Sequence, residues 1–124
     1  MHEYSFEKLV VWQKARDFVS FIYEITKSFP KEEKFGLTDQ IRRAAVSITA
    51  NIAEGSSRTS KKDQAHFTQL SYSSLMEVLS HFYIALDISY ITKDTFVKIK
   101  NQSYDLSNLL NALRNSQLSK STKK

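Results

Sequence analysis

The stretch FGLTDQIRRAAVSITANIAEGSSR, residues Phe35 to Arg58, decides how this chain folds. Leu37, Ile41, Ala45, Ile48 and Ile52 recur at spacings of four and three, so a helix gathers them on one face. One flank of that stripe holds Gln40, Ala44, Ser47 and Asn51, side chains that are small or amide-bearing. Such a row lets another helix come close while offering it hydrogen bonds. The spacing predicts a helix over Leu37–Glu54. Gly55 then stands where a left-handed C-terminal residue is wanted, a conformation glycine adopts without a Cβ clash.

The same periodicity extends in both directions. Upstream, Val11, Ala15, Phe18, Ile22, Ile25 and Phe29 share one face of a helix predicted over Ser5–Ser28. Ser5 is its expected N-cap, and Pro30 stops it by lacking an N–H and constraining Phe29. Downstream, the polar loop SSRTSKK leads to a helix over Lys61–Ser89, with Ser60 and Asp63 spaced as a capping box. Tyr72, Leu75, Leu79, Phe82 and Leu86 form its inner row. A fourth helix, over Lys93–Asn115, has Thr92 as its cap and Phe96, Ile99, Leu106, Leu110 and Leu113 as its core row. Residues 116–124 are small, polar and basic, and disorder is expected there.

Composition narrows the class. Two glycines and one proline in 124 residues are too few for the turns of a sandwich or doubly wound sheet, which favours long helices with short connections. Four such helices pack most simply as an all-α, antiparallel up-down-up-down bundle over residues 1–115, in one domain. The absence of cysteine removes disulfides and thiolate metal sites and suits a reducing compartment. With no signal-peptide pattern and no long apolar run, a cytoplasmic protein without membrane contact is expected. Trp12, Val19 and Tyr23 on the first helix, and Leu70, Met76 and Ile84 on the third, lie outside the core rows. That surplus apolar surface predicts a homo-oligomer.

Catalytic chemistry finds no support. Asp63 with His66 and Glu77 with His81 have helical ligand spacings, but they sit about four turns apart and the other helices supply no matching acid–histidine pair. No serine lies in a nucleophile elbow, and two glycines cannot build a phosphate-binding or dinucleotide loop. No metal, cofactor or small-molecule substrate is therefore expected. Net charge is +5, with Arg58, Lys61 and Lys62 forming one block without an acid. Two readings of the remaining polar residues stand side by side. In one, Arg43, Ser47, Asn51, Glu54, Ser74 and Glu77 form a structural network, with Arg43 pairing with Glu77 within or between subunits. In the other, Arg42, Arg43, Arg58, Lys61 and Lys62 make a positive surface for phosphates.

A family resemblance rests on particular residues. F-x-x-L-x-x-W-x-x-A from Phe6 to Ala15, I-Y-x-x-T-x-x-F-P from Ile22 to Pro30, the whole stretch Phe35 to Arg58, then Phe67 and S-S-L-M-E from Ser73 to Glu77 resemble the 23S ribosomal RNA intervening-sequence protein family. The resemblance covers about residues 5 to 115. It implies a four-helix bundle assembled as a ring-like homopentamer, and most members have no established activity. The related accessory variability proteins of diversity-generating retroelements are basic pentamers that bind nucleic acid and a reverse transcriptase. Where many members carry Gly-Ser, this chain has Ser73-Ser74. The resulting expectation is a non-enzymatic homopentamer that binds RNA or a ribonucleoprotein through a basic face. The alternative is a protein-binding scaffold using the aromatic surface around Trp12 and Tyr23.

Overall fold

In the computed structural model, residues 1–122 of the chain are described, with side chains through Ser119. Among these residues the regular structure is helical: α1 (Val10–Thr26), α2 (Leu37–Ser56), α3 (Lys61–Asp87) and α4 (Lys93–Thr122), with short 3₁₀ turns at Ser5–Lys8 and Lys31–Glu33. No helix of the described residues is long and apolar enough to cross a membrane.

The first helix begins later than its periodicity suggests, and Ser5 does not cap it. The Tyr4 N–H donates to the Glu7 carboxylate at 2.9 Å, and the Leu9 N–H donates to the Phe6 carbonyl at 3.0 Å, which closes a separate turn. Leu9 is extended, so α1 restarts at Val10. The turn folds Phe6 edge-on against Trp12, with ring centroids 4.9 Å apart. Trp12 is half-buried against the core rather than open to a partner.

Gly55 departs from its expected role. It lies inside α2, buried, and neither glycine has a positive φ. Its value is the missing side chain: a Cβ there would stand 3.0 Å from the Phe67 Cβ and 3.3 Å from the Gln64 carbonyl. Helix α3 can approach α2 this closely only at a glycine. Among the described residues the left-handed one is instead Ser89, at φ 64°, which ends α3 while the Tyr90 N–H reaches back to the Ala85 carbonyl at 2.8 Å. The Ser60 and Thr92 caps form as expected, accepting from the N–H groups of Asp63 at 3.0 Å and Thr95 at 3.2 Å.

The core centres on Phe18, Ile22, Ile41, Ile48, Leu75, Phe82, Ile99 and Leu110, all essentially inaccessible. Burial of Phe18 and Phe82 alone contributes roughly 2–3 kcal/mol each. Helix α3 is rotated from the expected phase. Thr68, Ser71, Val78 and Ala85 turn inward beside Leu75 and Phe82, while Tyr72, Leu79 and Leu86 are half-buried flanks. Small residues on that face permit the tight contact with α2. Ser71, fully buried, donates to the Ile48 carbonyl at 2.8 Å, so the polar atom is not left unpaired.

Helix α4 continues beyond Asn115, where disorder was expected. Gln117 is buried, and its side-chain oxygen accepts a 2.8 Å hydrogen bond from Thr68. Burying one amide against a partner on α3 extends the ordered helix by two turns. Lys123 and Lys124 lie outside the described residues.

Candidate nucleic-acid interface

Inter-helix bonds show which helix ends share a side of the molecule. Gly55 packs on Gln64 and Phe67, and Thr68 bonds Gln117, so the α2 C-terminus, α3 N-terminus and α4 C-terminus lie together. At the other end Arg42, near the start of α2, holds Thr26 and Tyr23 near the end of α1. The Tyr90 hydroxyl, between α3 and α4, donates to Glu33 there at 2.8 Å.

Divided at the helix midpoints, charge is unevenly shared between these ends. Among the described residues, 1–18, 47–74 and 108–122 carry eight Lys and Arg against five Asp and Glu. The other described residues carry eight of each, so the excess of +3 among the described residues belongs to the end holding Arg58, Lys61 and Lys62. Lys8 from the turn before α1, Lys14 and Arg16 from α1 and Arg114 from α4 join it, which their distance in sequence had concealed.

The five candidate cations do not form one patch. At 1.5 Å per residue, Arg42 and Arg58 are about 24 Å apart along the helix direction. Arg42 is engaged by the fold: its Nε donates to the Thr26 hydroxyl at 2.8 Å, an Nη to the Tyr23 carbonyl at 3.2 Å, and its guanidinium covers the Tyr23 ring at 4.5 Å. A cation on the last carbonyls of α1 also complements that helix's dipole. Arg43 is exposed and makes no ion pair among the described residues. Arg58 pairs with Glu54 at 3.1 Å and lies over the Phe67 ring at 4.6 Å, yet stays exposed. Lys61 and Lys62, at the start of α3, have no carboxylate partner among the described residues.

Of the expected polar network, Ser47, Asn51 and Ser74 come together. The Asn51 amide donates to the Ser47 hydroxyl at 3.0 Å, and the Ser74 hydroxyl donates to Ser47 at 3.0 Å. Glu54 belongs to Arg58 instead. Glu77 meets His81 at 3.2 Å, so the Arg43–Glu77 pair does not form within this chain. Among the described residues no group of three or more metal-ligating side chains converges. The network's unforeseen members are Ser71 and the Thr68–Gln117 pair, polar residues within apolar rows that only the rotation of α3 explains.

The pattern of the 23S rRNA-intervening sequence protein family matches residues 7–112. The chain belongs to that family. The fold resembles the 1.70 Å crystal structure of a protein of unknown function from the S23 ribosomal protein family of Bacteroides thetaiotaomicron, with a TM-score of 0.79 at 25% identity. The alignment covers 85% of this chain and 98% of that one. No curated protein matches the sequence.

Proposed function

We propose that this member of the 23S rRNA-intervening sequence protein family is a non-enzymatic homopentamer of antiparallel up-down-up-down bundles that binds RNA through one basic end. The observation that carries the reading is the placement of the excess positive charge of the described residues at the end formed by the α2–α3 loop and the α4 C-terminus. In a ring of parallel subunits these ends share one face, and five excesses of +3 give about +15 on it, enough for strong, salt-dependent attraction of a phosphate backbone. The opposed course of neighbouring helices is supported by contacts at successive levels, Gly55 by Gln64 and, two turns earlier, Ser47 by Ser74.

The contact surface centres on Arg58, Lys61 and Lys62. Arg42 is withdrawn from it by its bonds to α1, and Arg43 by its distance. The scaffold alternative keeps Tyr23, which is 38% exposed although its ring lies beneath Arg42, while Trp12 is half-buried against Phe6 and the core. Electrophoretic titration of the full chain with a structured RNA at several salt concentrations tests the reading. Binding that weakens steeply with salt, and weakens further in an Arg58→Ala/Lys61→Ala/Lys62→Ala variant, is expected. Unchanged affinity in that variant removes the assignment.

A further inference from the structure

Away from the basic end, an open hollow of about 390 Å³ lies where α1 ends and α2 begins. Thr26, Lys27, Lys31, Lys34, Thr38 and Arg42 line it beside the buried Phe29. It runs into a wider groove of about 770 Å³ that shares Lys34, Thr38 and Arg42 and continues to Phe35 and Tyr23. The two threonines differ in a way that bears on a ligand. Thr26 is 2% exposed and its hydroxyl is fully used, donating to the Ile22 carbonyl at 2.8 Å and accepting from the Arg42 Nε at 2.8 Å. Thr38 is 8% exposed, lines both hollows, and makes no side-chain hydrogen bond among the described residues. A buried hydroxyl left unpaired is disfavoured, and an acceptor entering the hollow satisfies it.

Thr38 and Arg42 stand one turn apart on the same face of α2. The bonds to Thr26 and to the Tyr23 carbonyl fix the Arg42 guanidinium but occupy only part of its N–H set. The cations around them are unevenly engaged. Lys27 pairs with Glu24 at 2.8 Å, whereas Lys31 and Lys34 have no carboxylate partner among the described residues. The Glu33 carboxylate is taken up by the Leu37 N–H and the Tyr90 hydroxyl. Asp39, in the adjoining groove, is the one acid among the lining residues. A dianion with several oxygens answers this surplus of charge and donors, and a carboxylate, with a single charge and two oxygens, answers less of it. Phe35, 86% exposed, adds an aromatic face of the kind on which nucleobases stack.

We propose that this hollow binds a nucleoside 5′-phosphate. Thr38 and Arg42 donate to the phosphate oxygens, Lys31 and Lys34 balance its charge, and Phe35 carries the base. The site is separate from the proposed RNA surface, because Arg42 lies about 24 Å from Arg58 along the bundle. Neither reading depends on the other, nor does this one depend on the ring.

The test is calorimetric titration of the full chain with adenosine 5′-monophosphate, with adenosine and with inorganic phosphate. The nucleotide should bind saturably, one per chain, and adenosine should bind at least tenfold more weakly, by roughly the worth of a charge-assisted contact. Thr38→Val keeps the shape and removes the hydroxyl. It should weaken nucleotide binding roughly tenfold without lowering the urea midpoint of the free protein, since the lost group had no partner there. Phe35→Ala should weaken the nucleotide roughly fivefold or more and leave inorganic phosphate unchanged. Should Thr38→Val misfold, Lys31→Gln/Lys34→Gln alters exposed side chains and should weaken nucleotide and phosphate alike. Displacement of the nucleotide by a short 5′-phosphorylated oligoribonucleotide, but not by its 5′-hydroxyl form, would identify an RNA terminus as the source; no displacement by either would identify the free nucleotide. Absence of nucleotide binding overturns the proposal, as does equal affinity in the Thr38 and lysine variants. Nucleotide binding that disappears in the Arg58→Ala/Lys61→Ala/Lys62→Ala variant belongs to the basic end and also overturns it, while leaving the RNA reading standing.

Discussion

At one end of the bundle Arg42 is held inside the structure, gripping the last turn of α1 through Thr26 and the Tyr23 carbonyl. At the other end Arg58, exposed, bonds Glu54 and lies over Phe67, and half-buried Lys61 and exposed Lys62 have no carboxylate partner among the described residues. The first end closes its connections with polar clamps, adding Glu33, which accepts from the Leu37 N–H at 3.0 Å and from the Tyr90 hydroxyl at 2.8 Å. The second closes by proximity, with Gly55 admitting Phe67 and with Ser71 and Gln117 buried against their partners. Arginines that appear equivalent in sequence thus do different work. At the first end the fold takes up Arg42; at the second it leaves Arg58 and Lys62 exposed.

The largest expected effect breaks this contrast on the binding side. Replacing Arg58, Lys61 and Lys62 with Ala should weaken RNA binding by one to two orders of magnitude at low salt, and lower the slope of log affinity against log salt by roughly 0.7 per lost phosphate contact on a single strand. Replacing Lys27, Lys31 and Lys34, three bases from the other end, should change affinity less than threefold by the same titration, if the ends differ as about +3 to zero implies.

Stability measurements sharpen the contrast from the other direction. Arg42→Ala removes two hydrogen bonds and a cation–π contact, and should cost about 2 kcal/mol in urea unfolding. Gly55→Ala gains helix propensity of up to about 1 kcal/mol, but it forces Phe67 and the Gln64 backbone apart at a cost of about 1–3 kcal/mol. A net loss near 1 kcal/mol is expected by the same assay. Ser89→Gly, which relieves a left-handed non-glycine residue, should stabilise by about 0.5–1 kcal/mol.

The smallest effect concerns the clamp between Glu33 and Tyr90. The Leu37 N–H and the Tyr90 hydroxyl hold the Glu33 carboxyl below its ordinary range, and the same bond raises the Tyr90 phenol. A carboxylate depressed by folding stabilises the protein above its unfolded pKa, and that contribution is lost as pH falls through the folded value. The raised phenol contributes fully below its unfolded pKa and loses its contribution as pH rises through the folded value. Tyr90→Phe should therefore lower the unfolding midpoint slightly at neutral pH. The gap from wild type should close both in acid below the carboxylate range and in strong base. A gap that stays constant across that pH range would rule out the carboxylate link as its cause.

Periodicity alone made the helices legible, because burial of an apolar stripe at 3.6 residues per turn is a local property of the chain. The Ser60 and Thr92 caps were equally readable, since a hydroxyl three residues from an orphan N–H needs nothing beyond its own segment. The extension of α4 was not, because Gln117 is polar and only its bond to Thr68, 49 residues away, makes its burial favourable. Nor was the fate of Arg42, which depends on α1 ending beside α2.

The stretch from Phe35 to Arg58 contains both kinds of information. By itself it determined a helix, its buried face and membership of a family, since all three are written in residue order. It also marked Gly55 as exceptional, but for the wrong reason: the glycine does not end the helix, and it yields its side-chain space to Phe67. Which of its arginines hold the fold and which remain free was decided by the tertiary structure. A side chain's availability depends on what the other helices bring within about 3 Å of it, and that distance is not encoded in the spacing of its neighbours.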